Sequence, residues 1–264
     1  MITSPQNPKI QHIKALLNRS RNRAESHSFI VEGVRLVEEA YQSKWDIELA
    51  LYSQNVNTRG KQLIDNFSQH GIETLLVTDR VMNSLSETEN SQGILAVMPM
   101  RSLPLPTPLD FVLITDAIRD PGNLGTLFRT AAAAGVQAIF LAPGTVDPTS
   151  PKVLRAGMGA HFRIPYYQFS WDEIREQISR PFPINMNVFL AEVREGIPCW
   201  EADLRLPTAI ILGNEAEGAG KEARSLAINN LHIPMPGKSE SLNAAAAGAI
   251  LLFEVVRQRY EQKK

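Results

Sequence analysis

A single cysteine, Cys199, stands in 264 residues, so no intramolecular disulfide can form and no cysteine cluster is available to hold a metal. That suits a reducing compartment. Charge of either sign is not in excess: 27 Lys and Arg face 28 Asp and Glu, a net charge of −1. The average field therefore gives no attraction to a polyanion, and a nucleic-acid partner has to be held by a local patch. Long apolar runs are missing too. The richest, AAAAGAILLFEVV at 244–256, is too short to span a bilayer, and the N-terminal MITSPQNPK lacks the apolar core of a signal peptide. The sequence thus predicts a cytoplasmic protein with no membrane partner. The five histidines are scattered without metal-like spacing and read as surface or satisfied core residues. No repeat of fixed period and no biased tract appears, and 44% hydrophobic with 21% charged residues is the composition of a globular chain able to bury a sizeable core.

What is present is punctuated by proline. Pro99, Pro104, Pro106 and Pro108 crowd into one short stretch, which favours an extended, semi-rigid spacer. The expected organisation is a small N-terminal α/β domain over 1–98, a linker over 99–109 and a second domain over 110–264. In the first, SFIVEG, IELALY, IETLLV and GILAVM read as short buried strands alternating with helical patterns, after an amphipathic NPKIQHIKALLNRS. In the second, FVLITD, QAIFLAP, NVFLA, TAIILGN and LHIPM are apolar strands separated by helices, the pattern of a parallel sheet covered on both faces. Ligands of such sheets collect at the carboxyl ends of strands, which directs attention to 120–129, 213–220 and 233–243. Near the N-terminus, Lys9, Lys14, Arg19, Arg21, Arg23 and Arg35 outnumber Glu25 and Glu32. This patch is either a phosphate grip or a solvated helix end.

The three loops carry the chemistry. DPGNLGTLFRTAAAAGV, at 120–136, sets Asn123 and Arg129 at the mouth of a helix of small residues. ILGNEAEGAGKEA spaces Gly213 and Gly218 as a phosphate loop does, but the Lys and Ser/Thr that should follow are missing and Glu215 and Glu217 would repel phosphate. Gly218, Gly220 and Ala223 also fit a dinucleotide fingerprint, yet that fingerprint follows its strand immediately, whereas GNEAE intervenes here. Glu215 has a plain reading as an acid near a helix N-terminus. In IPMPGKSESLNAAAAGAI, at 233–250, prolines stiffen the strand exit and Ser241 or Asn243 can cap the following helix, though capping does not explain both. The two AAAAG runs suit close packing of helices against the sheet or each other.

Taken together and in that order, these motifs resemble the three motifs of the SpoU (TrmH) family of RNA ribose 2′-O-methyltransferases, within the SPOUT superfamily. FIVEGVRLVEEA to SQGILAVM more loosely resembles the RNA-binding domain of many members, itself similar to kink-turn-binding ribosomal proteins. The resemblance implies an α/β fold whose parallel-sheet catalytic domain ends in a deep trefoil knot, a homodimer with composite sites, and S-adenosylmethionine as cofactor. It carries functional roles onto Asn123, Arg129, Glu215, Ser241 and Asn243. Cofactor contacts fall on Leu212, Gly213, Asn214, Gly218, Ile233, Met235, Ser241, Leu242, Asn243 and Ala246. The implied partner is structured RNA, ribosomal in preference to transfer RNA. A noncatalytic RNA-binding or ribosome-assembly module and a nicotinamide-dependent enzyme are the competing readings.

Overall fold

The computed structural model describes residues 1–86, 91–179, 185–214, 216–237 and 240–261. The chain opens with α1 (Pro8–Asn18), started by Asn7, whose side chain accepts from Lys9 N, and by Pro8 in the first turn. Its apolar stripe, Ile10, Ile13, Leu16 and Leu17, is buried. The basic run that follows forms a second short helix, α2 (Ser20–Ser26). Then come β1 (Ser28–Glu32), α3 (Val34–Gln42), β2 (Leu49–Ser53), α4 (Thr58–Gln69), β3 (Glu73–Val77), α5 (Asp79–Leu85) and β4 (Ile94–Pro99). They form a four-stranded sheet in the order β1-β4-β2-β3, with β4 antiparallel to both neighbours and β2 parallel to β3. α1 closes a core of Ile30, Leu51, Val77 and Leu95.

Beyond the proline-rich segment lie β5 (Phe111–Thr115), α6 (Pro121–Ala134) and β6 (Ala138–Leu141), followed by α7 (Pro151–Gly157) and a 3-10 turn at Ala160–Phe162. The stretch Asp147–Phe162 packs with the first unit, which comprises Met1–Arg101 and this segment; the second unit is Ser102–Val146 with Arg163–Lys264. The second unit continues with β7 (Tyr166–Gln168), α8 (Trp171–Ser179), β8 (Asn187–Glu192), β9 (Ile197–Pro198), β10 (Thr208–Leu212), α9 (Lys221–Leu226), β11 (Asn229–His232) and α10 (Ala244–Glu261). Its seven strands run in the order β7-β6-β5-β10-β8-β11-β9, every pair parallel. The central strands FVLIT and TAIIL are buried at every position, as a sheet covered on both faces requires. The expected strand LHIPM begins earlier, at Asn229, and ends at His232, so Ile233–Pro236 belongs to a loop.

From β5 the chain builds outward to β6 and β7, whereas β10 returns to β5's other edge. The strand order therefore reverses between β5 and β10, and the crevice at their carboxyl ends is where a ligand is expected. Over this edge α10 packs on α6 and β10. The small residues permit the approach: a Cβ at Gly248 would stand 2.5 Å from Leu127 Cδ2 and 2.7 Å from Leu212 Cδ1.

Candidate active site

Three loops meet at the crevice, and their own polar atoms fix them there. After β5, Asp120 caps α6, its Oδ1 accepting from Asn123 N at 2.8 Å, with Pro121 in the first turn. Asn123 thus sits on a closed first turn. After β10, the buried Asn214 donates from Nδ2 to Ala117 O at 2.7 Å and accepts at Oδ1 from Ala216 N and Glu217 N. One side chain ties the second loop to the first and shapes the turn that Gly218, at φ 72, completes. Below it, Asp116 Oδ2 accepts from Gly220 N at 2.6 Å. Burial raises the Asp116 pKa above its ordinary value, Glu222 adds to the rise, and the Gly220 N–H opposes it.

The third loop ends at Asn243, which does two things. Its Oδ1 accepts from Ala245 N at 3.0 Å and Ala246 N at 3.2 Å, capping α10, and its Nδ2 donates to Asn123 Oδ1 at 2.8 Å. The cap that the sequence left open between Ser241 and Asn243 falls to Asn243. Ser241 is exposed and lines the crevice.

Two adjoining cavities result. The first is walled by Leu212, Gly213, Asn214 and Gly218, by Ile233 and Met235, and by Ser241, Leu242 and Leu251. Two glycines, Gly213 and Gly218, stand in that wall, and a Cβ at Gly213 would lie 2.8 Å from Ala219 N. The second cavity is polar, lined by Arg119, Asp120, Asn123, Asn214, Ala216, Ser241, Leu242 and Asn243. Of the expected cofactor contacts, Leu212, Gly213, Asn214, Gly218, Ile233, Met235, Ser241 and Leu242 line the first cavity. Asn243 lines the second, and Ala246, on the exposed side of α10, lines neither. Sequence reasoning missed Ala191, Glu192 and Val193 at the end of β8, and Arg119 and Asp120. The strand NVFLA runs into that edge, Asp120 opens the first motif, and Arg119 immediately precedes it.

Arg129 is brought to neither cavity. It is exposed on α6, six residues past Asn123, about 9 Å along the axis and a third of a turn away around it. Among the described residues it has no hydrogen-bonding or ionic partner. Glu215 lies outside the described residues. In the N-terminal patch, Arg23 is not a phosphate grip: it is 4% exposed, pairs with Asp147 Oδ2 at 2.5 Å and donates to Leu16 O and Leu17 O. Lys9 pairs with Glu73 and Arg21 with Glu25, both at the surface. Lys14, Arg19 and Arg35 are exposed.

Comparison with known proteins decides the lineage. The profile of the SpoU rRNA Methylase family matches residues 110–253, and that of an MRM3-like substrate binding domain matches residues 7–96. The chain belongs to the SpoU rRNA Methylase family. The 23S rRNA (guanosine(2553)-2'-O)-methyltransferase RlmP of Bacillus subtilis (strain 168) is 34% identical over 256 residues, 96% of this chain and 98% of that protein. An AdoMet-bound rRNA methyltransferase from Sinorhizobium meliloti superposes with a TM-score of 0.85 at 32% identity over 97% of each chain. The SpoU methyltransferase AviRb from Streptomyces viridochromogenes, solved with AdoMet, gives 0.83 at 26% identity, covering 97% of this chain and 100% of that one. As a family member, this chain keeps the parallel sheet and the preceding N-terminal domain. Among its described residues no helix is long and apolar enough to cross a membrane.

Proposed function

We propose that this protein is an S-adenosylmethionine-dependent methyltransferase acting on a ribose 2′-hydroxyl of structured RNA, ribosomal RNA in preference to transfer RNA. The observation that carries the reading is the 2.8 Å bond between Asn243 and Asn123, which closes a polar cavity directly beside a glycine-walled one. The names of the similar proteins support ribosomal RNA.

The first cavity suits AdoMet. Bare backbone at Gly213 and Gly218 offers amides and carbonyls, and Leu212, Ile233, Met235 and Leu242 offer apolar surface. When bound, AdoMet supplies a methyl group activated by its sulfonium charge. The chain's task is to bring a hydroxyl in line with it, and orientation of this kind is worth roughly 7–11 kcal/mol. Asn123 and Asn243, fixed on two helix N-termini, hold the ribose; Ser241 lies where the cavities adjoin. A guanidinium stays protonated, so Arg129 stabilises the developing alkoxide rather than accepting the proton, which leaves to the adjacent phosphate or to water. Glu215 stays in the site on the strength of its motif.

Because Arg129 lines neither cavity of its own chain, a second copy presents it. The homodimer reading is supported by an exposed apolar stripe on α10, with Ile250 43%, Phe253 47% and Tyr260 63% exposed. The C-terminal knot is supported by β10 lying between β5 and β8 while α10 returns to α6. Residues 1–98 act as the RNA-binding domain, akin to kink-turn binders, residues 99–109 as linker and 110–264 as catalytic domain; the substrate-binding family match supports that division. A buried free cysteine accords with the cytoplasm. The test is methyl transfer from labelled AdoMet to ribosomal RNA of cells lacking the protein. RNA binding without AdoMet binding or transfer would return the chain to the noncatalytic RNA-binding class.

A further inference from the structure

We infer that Arg119 is a substrate-positioning residue, whose guanidinium grips an RNA phosphate beside the target ribose and is held in wait by Glu217. The inference rests on the methyltransferase reading of the same crevice. A ribose 2′-hydroxyl has a 3′-phosphate on the same nucleotide, so a cavity that takes the sugar must also manage that charge. Among the described residues lining the polar cavity, Arg119 is the one cation, against Asp120. Arg129, the cation that the motif supplies, lines neither cavity of its own chain.

Local structure sets Arg119 in the lining of the polar cavity. Two residues before it, Ala117 sits at φ 53, and its carbonyl is held by Asn214 Nδ2 at 2.7 Å. Arg119 Nη1 and Nη2 donate to the two carboxylate oxygens of Glu217 at 3.3 and 3.1 Å. This fork-on-carboxylate geometry is the one in which a guanidinium also meets a phosphate. The pair is open to solvent, the side chains being 62% and 68% exposed, and an exposed pair contributes little to stability. Glu217 is anchored by its own backbone N to Asn214 Oδ1 at 3.0 Å, so the acid stays while the long arginine swings. An incoming phosphate displaces the carboxylate without breaking the loop.

The full chain tests this with Arg119→Ala, Arg119→Lys and Glu217→Gln, each assayed for AdoMet affinity by calorimetry, RNA affinity by filter binding, and methyl transfer across a salt series. Arg119→Ala should raise the KM for RNA about tenfold and reduce the slope of log affinity against log salt by about one, with AdoMet affinity unchanged. Arg119→Lys should restore the slope and only part of the KM, and Glu217→Gln should lower the KM. An unchanged KM and slope in Arg119→Ala overturns the inference. So does a Glu217→Gln chain that loses RNA as Arg119→Ala does, because the pair would then be a structural strut. Salt-dependent loss of RNA affinity in Arg119→Ala, with no methyl transfer by the unaltered chain, would instead refute the methyltransferase reading and keep the phosphate contact.

Discussion

Asn243 holds the third loop by two separable means, and separating them tests how the site is built. Asn243→Ala removes the acceptor for Ala245 N and Ala246 N, a cap worth about 1 kcal/mol. It also removes the bond to Asn123 Oδ1, worth about 0.5–1 kcal/mol at a part-exposed site. Together the loss is about 1–2 kcal/mol, or roughly 3–6 °C in Tm for a chain of this size. Asn243→Ser keeps a capping oxygen but cannot reach Asn123, so its Tm should stay within about 3 °C of the unaltered chain. Both variants should lose about 100-fold or more in methyl transfer, the scale of a misplacement near 1 Å. Their AdoMet affinity should hold, since Asn243 is not in the wall of the first cavity. Thermal unfolding, calorimetry with AdoMet and transfer to ribosomal RNA measure the three quantities. Full activity in Asn243→Ser would show that capping alone is the residue's role and would refute the two-helix mount.

Three further outcomes follow from the geometry. Gly213→Ala drives a Cβ to 2.8 Å from Ala219 N, and overpacking of about 1–3 kcal/mol should weaken AdoMet binding roughly 5- to 100-fold in calorimetry; an unchanged affinity would place the cofactor elsewhere. Arg23→Ala leaves Asp147 without its buried partner and orphans Leu16 O and Leu17 O. It should cost about 3 kcal/mol in denaturant unfolding, whereas Arg19→Ala should leave stability alone and alter RNA affinity; equal stability in both would contradict the assignment. His161 is fully buried, and burial lowers its pKa to about 3 against the opposing influence of the Pro148 carbonyl and Asp147. Its neutral form is favoured in the fold, so this contribution is complete above pH 6.5 and is lost as pH falls from there towards 3. His161→Gln should flatten that part of the stability profile, and an unchanged slope would argue against a neutral buried imidazole.

Much of the site was legible because it is written in loops. Gly213, Asn214 and Gly218 follow an apolar strand, and Asn123 follows an Asp-Pro cap, so local chemistry alone placed them at the carboxyl edge of a parallel sheet. The place of Arg129 was less legible for a geometric reason: six helical residues set it a third of a turn from Asn123, and local pattern does not show which copy's cavity it serves. Arg23 looked like a member of a basic patch because its partner, Asp147, is 124 residues away. α2 and α7 lack the periodicity of long helices, and the assignment of Asp147–Phe162 to the first unit depends on tertiary packing that no local pattern encodes. The edge strand β9 is two residues long and its neighbour β11 reads NNLH; strands this short carry little signal of alternation.

The most direct measurement is to incubate the purified chain with labelled AdoMet and ribosomal RNA from cells that lack it, then map ribose methylation by resistance to alkaline cleavage. The label should appear on the 2′-oxygen of a defined nucleotide and vanish with Asn243→Ser. Label on a base, or transfer that survives that substitution undiminished, would contradict the account.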